Sequence, residues 1–438
     1  MEWYFILAIL IGGLVVFMLL GLPVVFAFFT VNIVGAFFFM GGMEGIIQLV
    51  KSSVYSVQSF TLLPIPLFIL MGEIMFHTGI ASRAIDAIDK LIAKVPGRLS
   101  LVAIVGGTIF SSLSGSTIAN TAILGSTLLP DMYKRGYSPS ISIGPIVVTG
   151  GIAMLIPPSA LAVLLGSIAQ IPIGDLLVAS IIPALILAFM FFAYVIIRCK
   201  INPEIAPNYD IAELSFADRV LPFFKYVLPL MGIFVVVVGS IIGGIATPTE
   251  SAALGALATL IAATAYKKLS WSNFTVSINQ TLRFTVMTLF IICGSITFSQ
   301  ILAFSEATAG LSSLVVDSDL RPIAVLIGML LILMFLGCFM DQVSMMMITI
   351  PIFMPLVEQL GFNVIWFGVL MLLVLEISLA TPPFGLLLFV VKGAAPDDTT
   401  MEQIIFSVLP FIGLALILAV LLILIPEITL ILPNLITR

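Results

Sequence analysis

Gly150-Gly151-Ile152-Ala153-Met154-Leu155-Ile156-Pro157-Pro158-Ser159 lies inside a long apolar stretch, and 225 positions later the chain reads Leu375-Glu376-Ile377-Ser378-Leu379-Ala380-Thr381-Pro382-Pro383-Phe384. Proline cannot continue a helix that precedes it, because it lacks the N–H and its ring crowds the preceding turn. It suits the first turn of a new helix, where that N–H is not needed. Each proline pair therefore predicts a helix broken in mid-course. The first would end near Gly150-Gly151, run extended over 152–156 and restart at Pro157, with Thr381-Pro382-Pro383 repeating the arrangement. A half-helix start offers free N–H groups and a positive dipole end, and the carbonyls released by the preceding half are hard oxygen ligands for a cation.

The same offset of 225 relates Pro130 to Pro355, Gly136 to Gly361 and Phe110 to Phe335. At an offset of 222, Leu67-Phe68-Ile69-Leu70-Met71-Gly72 faces Leu289-Phe290-Ile291-Ile292-Cys293-Gly294. The chain reads as one membrane domain, 1–438, made of repeat 1 over 1–200, a cytoplasmic connector over 201–225 and repeat 2 over 226–438.

Hydrophobic residues make up 61% of the chain and charged ones 9%, where a soluble domain carries roughly 25% charged. Apolar runs long enough to cross a bilayer recur from end to end. Ten membrane helices are expected, near 3–20, 22–40, 60–77, 140–170 (broken), 177–197, 226–243, 250–265, 285–304, 363–392 (broken) and 403–425. The apolar segments 100–133 and 322–357 are interrupted at their centres by Ser111-Ser112-Leu113-Ser114-Gly115-Ser116 and by Gly337-Cys338-Phe339-Met340-Asp341. These read as re-entrant hairpins, since backbone leaves a helix at membrane depth only where protein or a wet cavity satisfies it. The fold class expected is all-α integral membrane, an inverted repeat with two broken helices and two re-entrant hairpins.

Orientation follows from the basic residues. With the N-terminus outside, only Lys51, Arg321 and Arg438 of the 17 lysines and arginines fall outside, and the other 14 fall inside. Reading the hairpins as full spans would put Lys134 and Arg135 outside. Each repeat then has five crossings and a hairpin, so the second copy is inverted and the two hairpin tips approach each other from opposite sides. Alternating access is a natural outcome of that symmetry. Both termini are expected on the outer side. Met1-Glu2-Trp3-Tyr4 lacks the positive start of a cleaved signal peptide, so the first apolar run is expected to be retained. The segment 81–94 has helical apolar spacing at 84, 85, 88, 91 and 92 and reads as an interfacial helix, either a lever or a plain connector.

The hairpin tips carry the chemistry. Ser114-Gly115-Ser116 offers a flexible turn, hydroxyls and an N-cap for the returning helix, with Asn120 one turn inside it. Asp341 takes the position matching Ser116, and a carboxylate there is costly unless it serves a cation or a substrate group; its plain alternative is a helix cap. Glu376 stands at the second break as a functional group or as a structural partner within the helix. Glu73 and His77 are one turn apart and read as snorkelling or paired side chains, Glu250 as a helix-start acid, and Met345-Met346-Met347 as lipid-facing or packing residues. Cys199, Cys293 and Cys338 read as isolated residues rather than a disulfide framework. His77 is the only histidine, so no histidine metal cluster or Ser/His triad can form. An intramembrane enzyme would have only Asp341 and Glu376 to work with, and a channel would need a continuous pore where two tips close a central site. The chain is expected not to be an enzyme.

Three stretches then point to a family: Ser114-Gly115-Ser116-Thr117-Ile118-Ala119-Asn120 through Leu129-Pro130-Asp131-Met132, Gly150-Gly151 through Pro157-Pro158-Ser159, and Thr381-Pro382-Pro383-Phe384-Gly385. In these, and over essentially its whole length, the chain resembles the large membrane (permease) subunit of tripartite ATP-independent periplasmic (TRAP) transporters, DctM type, of the ion-transporter superfamily. The resemblance implies sodium-driven uptake of a small organic acid, such as a dicarboxylate, sialic acid or another sugar acid, by an elevator mechanism across a bacterial or archaeal inner membrane. It implies a periplasmic binding protein that delivers substrate and a small four-helix membrane subunit. That subunit is expected as a separate chain, because this one starts at the large subunit's first helix. Two or more Na+ ions are implied and no organic cofactor or nucleic acid. One sodium site would use Ser112 and Ser114 with backbone around Gly150 and Pro157, and another Gly337, Asp341 and Thr381. Ser116, Asn120 and Ser159 would line the substrate site. The alternative within the same superfamily is a self-sufficient sodium/dicarboxylate symporter.

Overall fold

The structure, a computed structural model, describes residues 2–92, 95–114, 117–207, 215–318, 320–383, 385–396 and 398–436, leaving aside the side chains of 112–114 and 316. Every regular element among the described residues is helical. The expected unbroken spans appear as Trp3–Leu19, Val24–Phe39, Pro64–His77, Ile173–Ile201, Leu228–Ile242, Pro248–Ala265, Trp271–Phe304 and Met401–Leu424. Five stretches, including Ile173–Ile201, Trp271–Phe304 and Met401–Leu424, are long and apolar enough to cross a membrane, and shorter apolar helices accompany them. Leu19, Phe38 and Phe189 stand exposed on the outside, where lipid rather than water suits them. The chain is an all-α, multi-pass membrane protein.

Two departures from the apolar-run reading have a common cause. The helix expected over 285–304 starts at Trp271, where the Ser270 hydroxyl accepts from the Asn273 amide at 3.1 Å. Met43–Val57 is a helix that no apolar run announces. Both segments are polar by composition, yet they bury a stripe spaced three to four residues apart: Gly45, Leu49, Ser52 and Ser56 in one, Ser277 and Thr281 in the other. Ala307–Asp317 and Glu427–Ile436 are further short helices outside the expected spans. Pro64 and Pro66 separate Met43–Val57 from Pro64–His77. The positions 222 later hold Val286 and Thr288, and there a single helix runs through.

The helices form two groups. In one, Trp3–Leu19, Val24–Phe39, Met43–Val57, Pro64–His77, Leu228–Ile242, Pro248–Ala265 and Trp271–Phe304 pack together. Small residues allow close approach there: a Cβ on Gly294 would lie 2.7 Å from that of Phe28. Buried Asn32 ties the same contact by donating to the Gly294 carbonyl at 2.7 Å and to Thr297 Oγ1 at 2.6 Å. The second group holds two pairs of consecutive helices, Arg98–Ser114 with Thr117–Lys134 and Pro322–Leu336 with Gln342–Gln359, around two interrupted helices. Ile173–Ile201 and Met401–Leu424 complete it. The groups meet where Pro64–His77 lies against Arg98–Ser114 and Ala160–Ile168, and where Trp271–Phe304 lies against Gln342–Gln359. Ile80–Leu91 joins them and buries Ile80, Ala81, Ala84, Ile85, Ala87 and Ile88 on one face. Arg98 Nε holds Asp89 Oδ1 at 2.8 Å at its end.

The interruptions correct the expected course in detail. Pro139–Ile152 ends as expected, but the next residues turn rather than extend: the amides of Met154, Leu155 and Ile156 donate to the carbonyls of Gly151, Ile152 and Ile152. The second half-helix is Ala160–Ile168, starting three residues beyond Pro157. Ser159 decides this start, because its hydroxyl accepts from the Ala162 amide at 3.2 Å, an acceptor that proline lacks. In the second break, Val364–Ala380 ends at Thr381 and Leu386–Ala394 follows Gly385. The Pro157-Pro158 and Pro382-Pro383 peptide bonds are both cis.

Candidate functional site

The first helix pair is fastened to the first interrupted helix by Asn120. Fully buried, it donates through Nδ2 to the Gly107 carbonyl at 3.3 Å, the Thr149 carbonyl at 3.3 Å and Ser111 Oγ. Ser111 Oγ in turn donates to the Thr149 carbonyl at 3.1 Å. One amide thus clasps both legs of the pair and the helix beside them, while Asn120 Oδ1 has no partner. Thr121 Oγ1 is likewise buried and unpartnered. It occupies the space above Gly150, where a Cβ would lie 1.8 Å from it.

The second pair is seated on the second break. Gly337 ends Pro322–Leu336, and a Cβ there would lie 2.1 Å from Ser378 Oγ. Cys338 Sγ reaches the Pro382 carbonyl at 3.6 Å. Asp341 caps Gln342–Gln359, accepting from the Val343 amide at 3.0 Å, the Ser344 amide at 3.4 Å and Ser344 Oγ. Thr381 Oγ1 donates to the Ile377 carbonyl at 2.7 Å, leaving its lone pairs free.

The two tips meet. Gln342 Nε2 donates to Thr117 Oγ1 at 3.4 Å and approaches Met154 Sδ, in the first break, at 3.6 Å. Gln342 and Thr117 stand 225 positions apart, the spacing of the proline pairs. A second contact has the same spacing: Glu376 Oε1 fills the notch left by Gly151, where a Cβ would lie 1.0 Å from it. Glu376 is 5% exposed, and its Oε2 has no partner.

Of the expected residues, Gly150, Asn120 and Ser159 therefore gather around the first break, and Gly337, Asp341 and Thr381 around the second. Ser159 is buried as a helix cap. Pro157 faces a cleft of about 240 Å³ lined by Thr108, Ile109, Leu185, Met231 and Phe234. Ser116 lies outside the described residues. Ser112 and Ser114 belong to the last turn of Arg98–Ser114, and their side chains lie outside the description too. Gln342 was not among the expected residues. Its signal was its place beside Asp341, 225 positions from Thr117.

Among the described residues, no three His, Cys, Asp or Glu side chains converge as a transition-metal site would require. Asn120 Oδ1, Thr121 Oγ1 and Glu376 Oε2 are each buried without a hydrogen-bond partner, Thr121 Oγ1 against Gly150 and Glu376 against Gly151.

Interrupted helices brought together inside a multi-pass helical membrane protein define a membrane transporter. The chain belongs to the DctM component family of the tripartite ATP-independent periplasmic transporters, whose family model matches residues 11–428. It is 31% identical over 432 residues to the ectoine TRAP transporter large permease protein TeaC of Halomonas elongata, covering 98% of this chain and 99% of that one. It is 30% identical over 408 residues to the C4-dicarboxylate TRAP transporter large permease protein DctM of Pseudomonas aeruginosa, covering 90% and 93%. Among solved structures, the YdaH transporter of Alcanivorax borkumensis shares the fold at a TM-score of 0.61 and 13% identity, over 89% of this chain and 90% of that one. Membership in this family makes the chain a transporter component and not an enzyme.

Proposed function

We propose that this chain is the sodium-driven large permease of a TRAP system, taking up a small organic acid from a periplasmic binding protein, with a small membrane subunit beside it. The observation that carries the reading is the contact of the two tips, Gln342 with Thr117, over two helix breaks. In an inverted repeat, a residue on the pseudo-two-fold axis meets its own counterpart. Both Thr117–Gln342 and Gly151–Glu376 fit that description. The substrate binds at the tips, at Ser116, Asn120 and Ser159. Sodium binds with Ser112, Ser114, Gly150 and Pro157 on one side and with Gly337, Asp341 and Thr381 on the other. The unpartnered oxygens around Gly150 and Gly151 support a cation there.

The helix pairs are re-entrant, one from each face, and with the interrupted helices they move as an elevator against the group that holds Pro64–His77 and Trp271–Phe304. The chain lies in a bacterial or archaeal inner membrane, with both termini on the periplasmic side. The two relatives carry ectoine and C4-dicarboxylate in their names, so family membership leaves the particular substrate open.

Membrane vesicles test the reading. With binding protein and small subunit present, an inward sodium gradient should drive uptake from a panel of labelled organic acids. Uptake by this chain alone would make it a self-sufficient symporter instead, and uptake indifferent to sodium would overturn the coupling.

A further inference from the structure

Away from the breaks, a group of cations sits where Ile80–Leu91 packs on the connector, the helix Phe216–Pro222 and the turn Phe223–Val227. Arg83 donates to the Tyr226 hydroxyl at 3.4 Å, and its guanidinium stands 5.6 Å from the centre of that ring. Lys225 Nζ lies 5.5 Å from the same ring centre. Tyr266 packs on Tyr226 with ring centres 5.6 Å apart and donates its hydroxyl to the Lys225 carbonyl. Lys267 and Lys268 follow directly in the chain.

Cation–π contacts of this kind are worth about 0.5–1 kcal/mol at exposed sites and neutralise nothing. Acids stand on the same elements, Asp86 and Asp218, but the ion pairs among the described residues are Glu73–His77, Asp89–Arg98 and Asp131–Arg135. Arg219 adds a second sign: its Nε is buried and has no hydrogen-bond partner. Asp86 is close enough to act on Arg83, but no ion pair among the described residues holds Lys225 or Arg219, and the buried, unmet Arg219 donor calls for an anion.

The surroundings say what kind. Phe216, Leu221 and Phe224 are exposed on the same elements, and exposed Leu228 begins the apolar helix that follows; aromatic side chains such as Tyr226 and Tyr266 are typical of a membrane interface. A free phosphate would have no use for that apolar rim. We propose that Arg83, Arg219 and Lys225, on their Tyr226–Tyr266 platform, bind the headgroup of an anionic phospholipid whose chains lie along Phe224 and Leu228. Ile80–Leu91 links Pro64–His77 to Arg98–Ser114, so the lipid sits on the joint between the two helix groups. The inference rests on the membrane reading of the chain and not on its substrate or coupling ion.

The test is lipid binding by the detergent-purified full chain, read by native mass spectrometry with phosphatidylglycerol, phosphatidylcholine and inorganic phosphate as probes. Phosphatidylglycerol should bind, and phosphatidylcholine much more weakly. Lys225→Gln, at an exposed side chain, should weaken phosphatidylglycerol roughly fivefold, the effect of one basic charge near a headgroup. Arg83→Gln with Lys225→Gln should weaken it further. Arg198→Gln with Lys200→Gln, at exposed basic residues elsewhere, should leave binding unchanged. Lipid-free thermal unfolding of Lys225→Gln should match wild type, separating lost binding from lost fold. Equal binding of phosphatidylcholine, competition by inorganic phosphate, or an equal loss in the Arg198/Lys200 variant would overturn the proposal.

Discussion

At the same distance before each proline pair, one interrupted helix reads Gly150-Gly151 and the other Leu375-Glu376. The two sites touch, and the contact explains why they differ. Glu376 Oε1 lies 1.0 Å from where a Gly151 Cβ would be, so the crossing holds one side chain and not two. The helix that gives way is glycine, and the one that enters brings a buried carboxyl. The tips have a milder version of the same asymmetry, with Asp341 capping the second returning helix at the position matching Ser116. The corresponding positions of the two interrupted helices thus differ where they touch.

The largest effect is expected at that crossing. Gly151→Ala puts a methyl group into an occupied position, at or beyond the roughly 1–3 kcal/mol of ordinary overpacking. Thermal unfolding should fall and uptake should be lost. Glu376→Ala in the same chain should restore much of the unfolding temperature, and a tolerated Gly151→Ala alone would break the comparison.

Asn120→Ala comes next. It removes the donor shared by Gly107, Ser111 and Thr149 and leaves buried acceptors unmet, a cost of roughly 1–3 kcal/mol. Unfolding should be easier, and an unchanged unfolding temperature would deny the clasp.

The smallest stability effects, about 1 kcal/mol each for a lost cap, belong to Asp341→Ala and Ser159→Ala. They sharpen the division between the two breaks. Asp341→Ala should weaken sodium activation of uptake, whereas Ser159→Ala should raise the KM for substrate and leave sodium activation in place. The same response from both would erase that division.

Much of this architecture is legible in the residues. Proline pairs announce broken helices because no proline N–H can carry a helix onward, and the interruptions fall where Pro157 and Pro382 put them. The restart falls three residues beyond Pro157 because Ser159 offers the next turn an acceptor and outranks the prolines as a helix start. Met43–Val57 escapes an apolar-run reading because Glu44, Gln48 and Lys51 dilute it, although its buried stripe is regular. The roles of Gly151, Glu376 and Gln342 depend on contacts between distant segments, which local pattern does not encode. The 225-residue spacing is the available clue, since both contacts join positions that far apart.

The direct test of a site closed by the two tips is cross-linking of Thr117→Cys with Gln342→Cys in membranes. The three buried native cysteines, Cys199, Cys293 and Cys338, would first be replaced. Rapid disulfide formation that stops sodium-driven uptake, reversed by a reductant, is expected. Cysteines that react separately with small thiol reagents and never with each other would contradict a shared central site.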